Sequence, residues 1–174
     1  MMRTRPMVCS AAMAVVALGA AAGIARAQAP LVPAPQGAPV VLEAIADGVQ
    51  KYVCEAKDQS YEWVFKAPEA SLFDRQGRQI GLHYAGPTWM TSDRAAVVGE
   101  VAAKADAPRA GAIPWLLLRA KSNVGTGPLG STAFIRRIDT VGGVAPMAGC
   151  DSAHQGEEAR MRYSALYVFL GAAK

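Results

Sequence analysis

Histidine is scarce in this chain. There are two, and neither stands in a His-x-His or Glu-x-x-His spacing, so no histidine-rich zinc site can be assembled. No serine sits in a Gly-x-Ser-x-Gly elbow, which removes the most legible route to a serine hydrolase. Strand and helix patterns do not alternate, so no βαβ unit for a dinucleotide is expected. The sequence therefore calls for no metal and no cofactor. Aromatic residues make up 7% of the chain and are not interleaved with Lys or Arg, as single-strand nucleic-acid binders require.

An excess of base over acid is present, but its position weakens it. The chain has 18 basic and 14 acidic side chains. Arg3, Arg5 and Arg26 lie in residues 1–27, so 18 less 3 leaves 15 basic side chains against the 14 acids. No basic run follows. Nucleic acid is not an expected partner.

Residues 1–27 read as a cleavable export signal. Met1–Met7 carries two arginines and no acid, Val8–Ala25 is almost wholly apolar, and Ala25-Arg26-Ala27 is a small-x-small exit. The apolar stretch approaches spanning length, but Ala and Gly dominate it and gain little in hydrocarbon, so no stable membrane insertion is expected after cleavage. Residues 28–39 hold four prolines and read as an extended lead-in. Residues 40–174 then form a single domain in a secreted or periplasmic protein. Beyond the leader two cysteines remain, Cys54 and Cys150. In a reducing cytosol they would be separate buried thiols. In an oxidising compartment an even pair reads as a disulfide, the reading that export favours.

The domain shows the period of strands. Tyr61, Trp63 and Phe65 alternate with Glu62, Val64 and Lys66, and Gln50–Cys54 alternates similarly. Asp74–Arg78 is a turn between the short runs Ala70–Phe73 and Gln79–Tyr84, which predicts a hairpin. Val97–Val101 is a weaker strand, and Asp93–Asp106 is the one stretch open to a helix. Ile113–Leu118 suits a strand buried on both faces, and Asn123–Gly130 is punctuated as a loop. Ser131–Asp139 and the long Arg160–Leu170 complete the strands. Short strands between Gly/Pro-rich turns predict an all-β, single-domain antiparallel sandwich or small barrel with long loops.

The blocks Gly48–Cys54, Trp63, Pro68–Asp74, Gly77–His83 and Gly86-Pro87-Thr88-Trp89 resemble a family of secreted proteins, the domain of unknown function 3455. So do Ile113–Leu118, Ile135–Pro146, Gly149–Asp151 and Tyr163–Phe169. The resemblance spans about residues 48–170 and implies no activity. After the Gly-Pro-x-Trp block the family has an acidic-Gly-Ser turn, where this chain has Asp93-Arg94-Ala95.

Four side chains stand out as candidates for chemistry. His83, beside a Gly-Pro turn, could act as a general base or touch a ligand, or could simply fix that turn. Trp89, in the same Gly/Pro setting, is the better ligand platform, because Trp63 and Trp115 lie on core faces by periodicity. Arg136 and Arg137 fall on opposite faces of a strand, so one points inward. An inward Arg is costly unless paired, and pairing with a carboxylate is favoured over anion binding; Arg136 is taken as the ligand-binding candidate. His154 lies in a polar loop without metal spacing. The reading that follows is a binding or surface-interaction module for a small molecule, a glycan or another envelope component. The alternatives are a small hydrolase or isomerase using His83, and a structural envelope or stress protein without a small ligand. No feature sets an oligomeric state.

Overall fold

A computed structural model describes residues 32–173. The leader and the first residues of the lead-in lie outside the described residues.

Eight strands follow one another and close into a ring. They are β1 (Val40–Lys57), β2 (Ser60–Phe73), β3 (Gln79–Tyr84), β4 (Thr88–Thr91), β5 (Ala96–Ala105), β6 (Trp115–Val124), β7 (Phe134–Gly142) and β8 (Glu158–Leu170). Each pairs antiparallel with the next, and β1 pairs with β8 to shut the barrel. Closure satisfies both edges that an open sheet would leave unpaired. Of the two architectures expected from the sequence, the barrel is the one formed.

The inward faces follow the two-residue period. From β1 they include Ala44, Ala46, Gln50, Tyr52 and Cys54, and from β8 Tyr163, Ala165, Tyr167 and Phe169, all buried. One end of the barrel is filled. Leu72, Ile135 and Phe169 pack there, and the single helical turn α1 (Gly127–Gly130) brings in Leu129, which is fully buried. Small residues on β1 let the wall curve tightly. A Cβ on Gly48 would collide with the Glu69 carbonyl and the Ala70 backbone on β2. Gly48→Ala should therefore lower stability by about 1–3 kcal/mol, the usual range for overpacking. Urea unfolding reads this directly, and an unchanged midpoint would refute the crowding.

The helix entertained at Asp93–Asp106 is instead strand β5. Its inward positions explain why. Val97 is buried, and Gly99 faces the Trp89 ring and Leu118, leaving a Cβ there only about 3.1 Å from the indole. The bulge of β5 between Val101 and Ala103 also blurs its alternation, while the register shift at Val98/Gly99 puts its extra residue on β6. The Asn123–Gly130 loop contains α1, and the strand expected from Ser131 begins at Phe134. The run at Ile113–Leu118 becomes β6 only from Trp115 and continues to Val124, with Arg119 outward and exposed. The lead-in is not wholly peripheral: Val32 is buried, and its carbonyl accepts from Arg136.

The hairpin at Asp74–Arg78 forms as expected. The Asp74 carboxylate accepts from the Gln76 and Arg78 amides, and Gly77 supplies the positive φ of 79°. The other unusual turn, Asp93-Arg94-Ala95, places Arg94 at φ 67°. Thr91 donates to the Asp93 carboxylate at 2.6 Å and so braces the turn.

Cys54 and Cys150 are joined as a disulfide. It lies at the end of the barrel opposite α1, where β1 and β2 run past the rim. Trp63 is half-buried there, and its indole N–H donates to the Ala148 carbonyl at 3.0 Å. It lashes down the loop that carries Cys150 rather than filling the barrel core.

Candidate functional site

Strand lengths set the shape of the site. β1 and β2 are 18 and 14 residues long, and β4 only four. The walls are therefore uneven, and the end opposite Leu129 stays open as a cup of about 500 Å³. A cup of this size suits one small organic molecule. Phe65, Pro68, Pro87, Leu116 and Leu118 give it apolar walls, and Lys66 and Lys104 stand exposed at the rim. Tyr52 and Phe65 meet edge to face at the mouth, with centroids 5.7 Å apart.

His83 and Trp89 come together on adjacent strands, paired directly across β3 and β4. Their rings stack with centroids 4.4 Å apart and an interplanar angle of 7°. Tyr167 meets both rings edge-on at 5.0 and 5.2 Å. The His83 ring is 3% exposed, and its Nδ1 lies 2.8 Å from the Thr88 carbonyl. A carbonyl only accepts, so Nδ1 carries the proton and Nε2 is left as an acceptor. Burial holds His83 down at about 3, against the Thr88 hydrogen bond, which pulls the other way. The ring is neutral at physiological pH.

Arg137, not Arg136, enters the cup. It pairs with Tyr167 across β7 and β8, and its guanidinium donates from Nε and Nη2 to the Pro114 carbonyl at 3.1 and 2.8 Å. No carboxylate pairs with it among the described residues, so the expected structural ion pair is absent. Arg136 faces outward, and its Nε donates to the Val32 carbonyl at 2.8 Å. Around Arg137 the interior is polar but unmet. Gln50 Nε2, Trp89 Nε1 and the hydroxyls of Tyr163 and Tyr167 are buried without a hydrogen-bond partner. Tyr167 lies close to both Tyr163 and the guanidinium, yet forms no well-aligned bond. Burial raises the pKa of both tyrosines, so neither ionises at ordinary pH.

The model for the family described as "Protein of unknown function (DUF3455)" matches residues 33–171. The chain belongs to the DUF3455 family. No curated protein and no solved structure matches it. The family match begins ahead of the blocks that carry the resemblance, in keeping with the packing of the lead-in against β7.

One feature of this DUF3455 barrel escapes a reading of the sequence alone, and one motif visible in the sequence lacks its usual structural setting. Arg137 is indistinguishable from Arg136 until the register of β7 against β8 is known. Gly125-Thr126-Gly127-Pro128-Leu129-Gly130, after β6, has the glycine spacing of a dinucleotide loop. It opens only one helical turn, leads into an antiparallel strand, and spends Leu129 on plugging the barrel. There is no βαβ unit for it to serve. His154 lies at the surface in the loop after the disulfide, where its Nδ1 is 2.7 Å from the Asp151 carboxylate and its pKa is raised by that bond. No cluster of metal-ligating side chains occurs among the described residues.

Proposed function

We propose that this DUF3455 protein is an exported binding protein that takes one small organic molecule into the open end of its barrel. The observation that carries the reading is the cup itself: about 500 Å³, with the buried Trp89, Leu118 and Tyr167 in its lining and walls that are largely apolar. An interior packed only for stability would be filled to crystal-like density. The disulfide supports work outside the reducing cytosol. Lys51, Glu69, Arg160 and Glu158 make a charged ladder on the outer wall, a surface suited to water and costly in lipid. No helix among the described residues is long and apolar enough to cross a membrane.

Binding is favoured over catalysis because His83 is a poor proton acceptor at neutral pH, where a general base works best with a pKa near the operating pH. No carboxylate lines the cup to partner it. A glycan stacked on Trp89 is disfavoured by burial: the indole is 1% exposed and the His83 ring covers its face.

A neutral, environment-sensitive fluorophore such as N-phenyl-1-naphthylamine tests the reading. It should light up saturably at one site per chain. Val101→Trp, at an exposed position on the rim, should abolish the signal while leaving the fold intact. Absence of saturable binding by the folded wild-type protein would refute a binding cup.

A further inference from the structure

A lone cation part-buried inside a barrel is costly, and no carboxylate among the described residues pairs with this one. Removing a guanidinium from water carries a penalty that a single carbonyl acceptor offsets only in part. Pro114 supplies that acceptor. The titratable side chains of the cup are Tyr52, Lys66, His83, Lys104, Arg137 and Tyr167, and no acid is among them. Lys66 is answered by Glu55 outside the cup, at an N–O distance of 2.5 Å. The hydroxyls and His83 are uncharged, so the interior carries the charge of Arg137 and the rim adds that of Lys104.

The neighbouring polar atoms lean the same way. Gln50 Nε2 and Trp89 Nε1 can only donate, and neither forms a well-aligned hydrogen bond, although the Tyr163 hydroxyl lies near Gln50. Arg137 lines the cup together with Gln50, Tyr52, His83, Trp89 and Tyr167, and is paired with Tyr167 across β7 and β8. A cation beside unmet donors, with His83 Nε2 and the tyrosine hydroxyls as its neutral acceptors and apolar walls around them, is the complement of an acceptor-rich head on an apolar body.

Resting on the binding role proposed above, we propose that the ligand is an amphipathic organic anion, its carboxylate or sulfonate held by Arg137 and its hydrocarbon or aromatic body lying against Phe65, Pro68, Pro87 and Leu116. Arg suits this role better than Lys, because its planar fork can hold Pro114 and still present donors to a carboxylate. Lys104 at the rim steers the anion inward and is not needed to hold it.

The test uses the whole mature protein and a chain-length-matched series: decanoate, decanesulfonate, decanamide and decyltrimethylammonium, each displacing the neutral fluorophore. The two anions should bind at least about tenfold more tightly than the amide, and the cation least well. Arg137→Gln should weaken decanoate by at least about tenfold and leave decanamide within a factor of about three, while Arg137→Lys should recover part of the loss. Equal affinity for decanoate and decanamide in the wild-type protein overturns the anion assignment while leaving the binding cup standing, and it needs no variant to fold. If the fluorophore itself never binds, the cup fails and this inference with it. Capture by anionic phosphatidylglycerol vesicles without displacement by either soluble anion would overturn it in favour of a membrane surface.

Discussion

Replacing Cys54 and Cys150 together by alanine should lower the unfolding free energy by about 4–5 kcal/mol, the value chain entropy assigns to a cross-link of this span. The two residues are 96 apart in sequence, so the bridge removes a large share of the freedom of the unfolded chain. In the folded state it adds little that is not already in place. β1 and β8 pair in register up to Val53 and Glu158, the Cys54 amide donates to the Glu157 carbonyl, and the Gly156 amide donates to the Cys54 carbonyl. The loop is also pinned by the Trp63 indole. The barrel should therefore keep its shape without the bridge and simply unfold more readily. Urea unfolding of the wild type with and without reductant, set beside the double variant, checks this. Reduced wild type and variant should coincide, and a loss below about 1 kcal/mol would rule out the entropic account.

Much of this architecture can be read from one residue in two along the strands, and the places where that reading fails share a cause. Tyr61, Trp63 and Phe65 do lie on the inward face, as their alternation says. Trp63 pairs with the inward-facing Cys54. Alternation reports a face but not where the opposite wall ends, so Trp63 was expected in a core that stops short of it. Phe65, 49% exposed, likewise stands at the mouth. The two arginines of β7 show the same limit. Opposite faces were legible, but which face looks inward depends on pairing with Tyr167, a contact thirty residues away in sequence. The His83–Trp89 contact was half-legible: a tight Gly-Pro turn brings neighbouring strands together, but only closure of the ring buries the pair. β5 was ambiguous because Ala-rich sequence suits a helix locally, and only the Trp89 ring opposite Gly99 explains a strand there.

Acid should destabilise this barrel from the ordinary histidine range downward. In the folded chain His83 resists protonation down to about 3, because charging it would strand a cation in the interior; in the unfolded chain it titrates near 6.5. Below 6.5 the unfolded state takes up a proton that the folded state refuses, so stability falls as pH falls. The contribution is whole above the unfolded pKa and lost by the folded one. Each pH unit in that window costs about 1.4 kcal/mol, so descending from pH 6.5 to about 4.5 should cost about 2–3 kcal/mol. The carboxylates with shifted values act mainly below this window. Asp74, Asp93 and Asp151 have lowered pKa values, so their contributions persist above the ordinary 3.8 and fade only below it. Glu69 behaves alike from 4.5 downward. His154 has the opposite sign: its pKa is raised by Asp151, so its contribution is fully present below 6.5 and lost only as pH rises through its folded value. Urea midpoints across the window should slope steeply in the wild type and flatten in His83→Phe, which keeps a ring against Trp89 without a titrating nitrogen. His83→Gln should flatten the slope as well, whatever either substitution does to stability at neutral pH. If wild type and variants slope alike, His83 is protonated within the fold, the cup holds a second cation, and the case against His83 as a proton carrier falls with it.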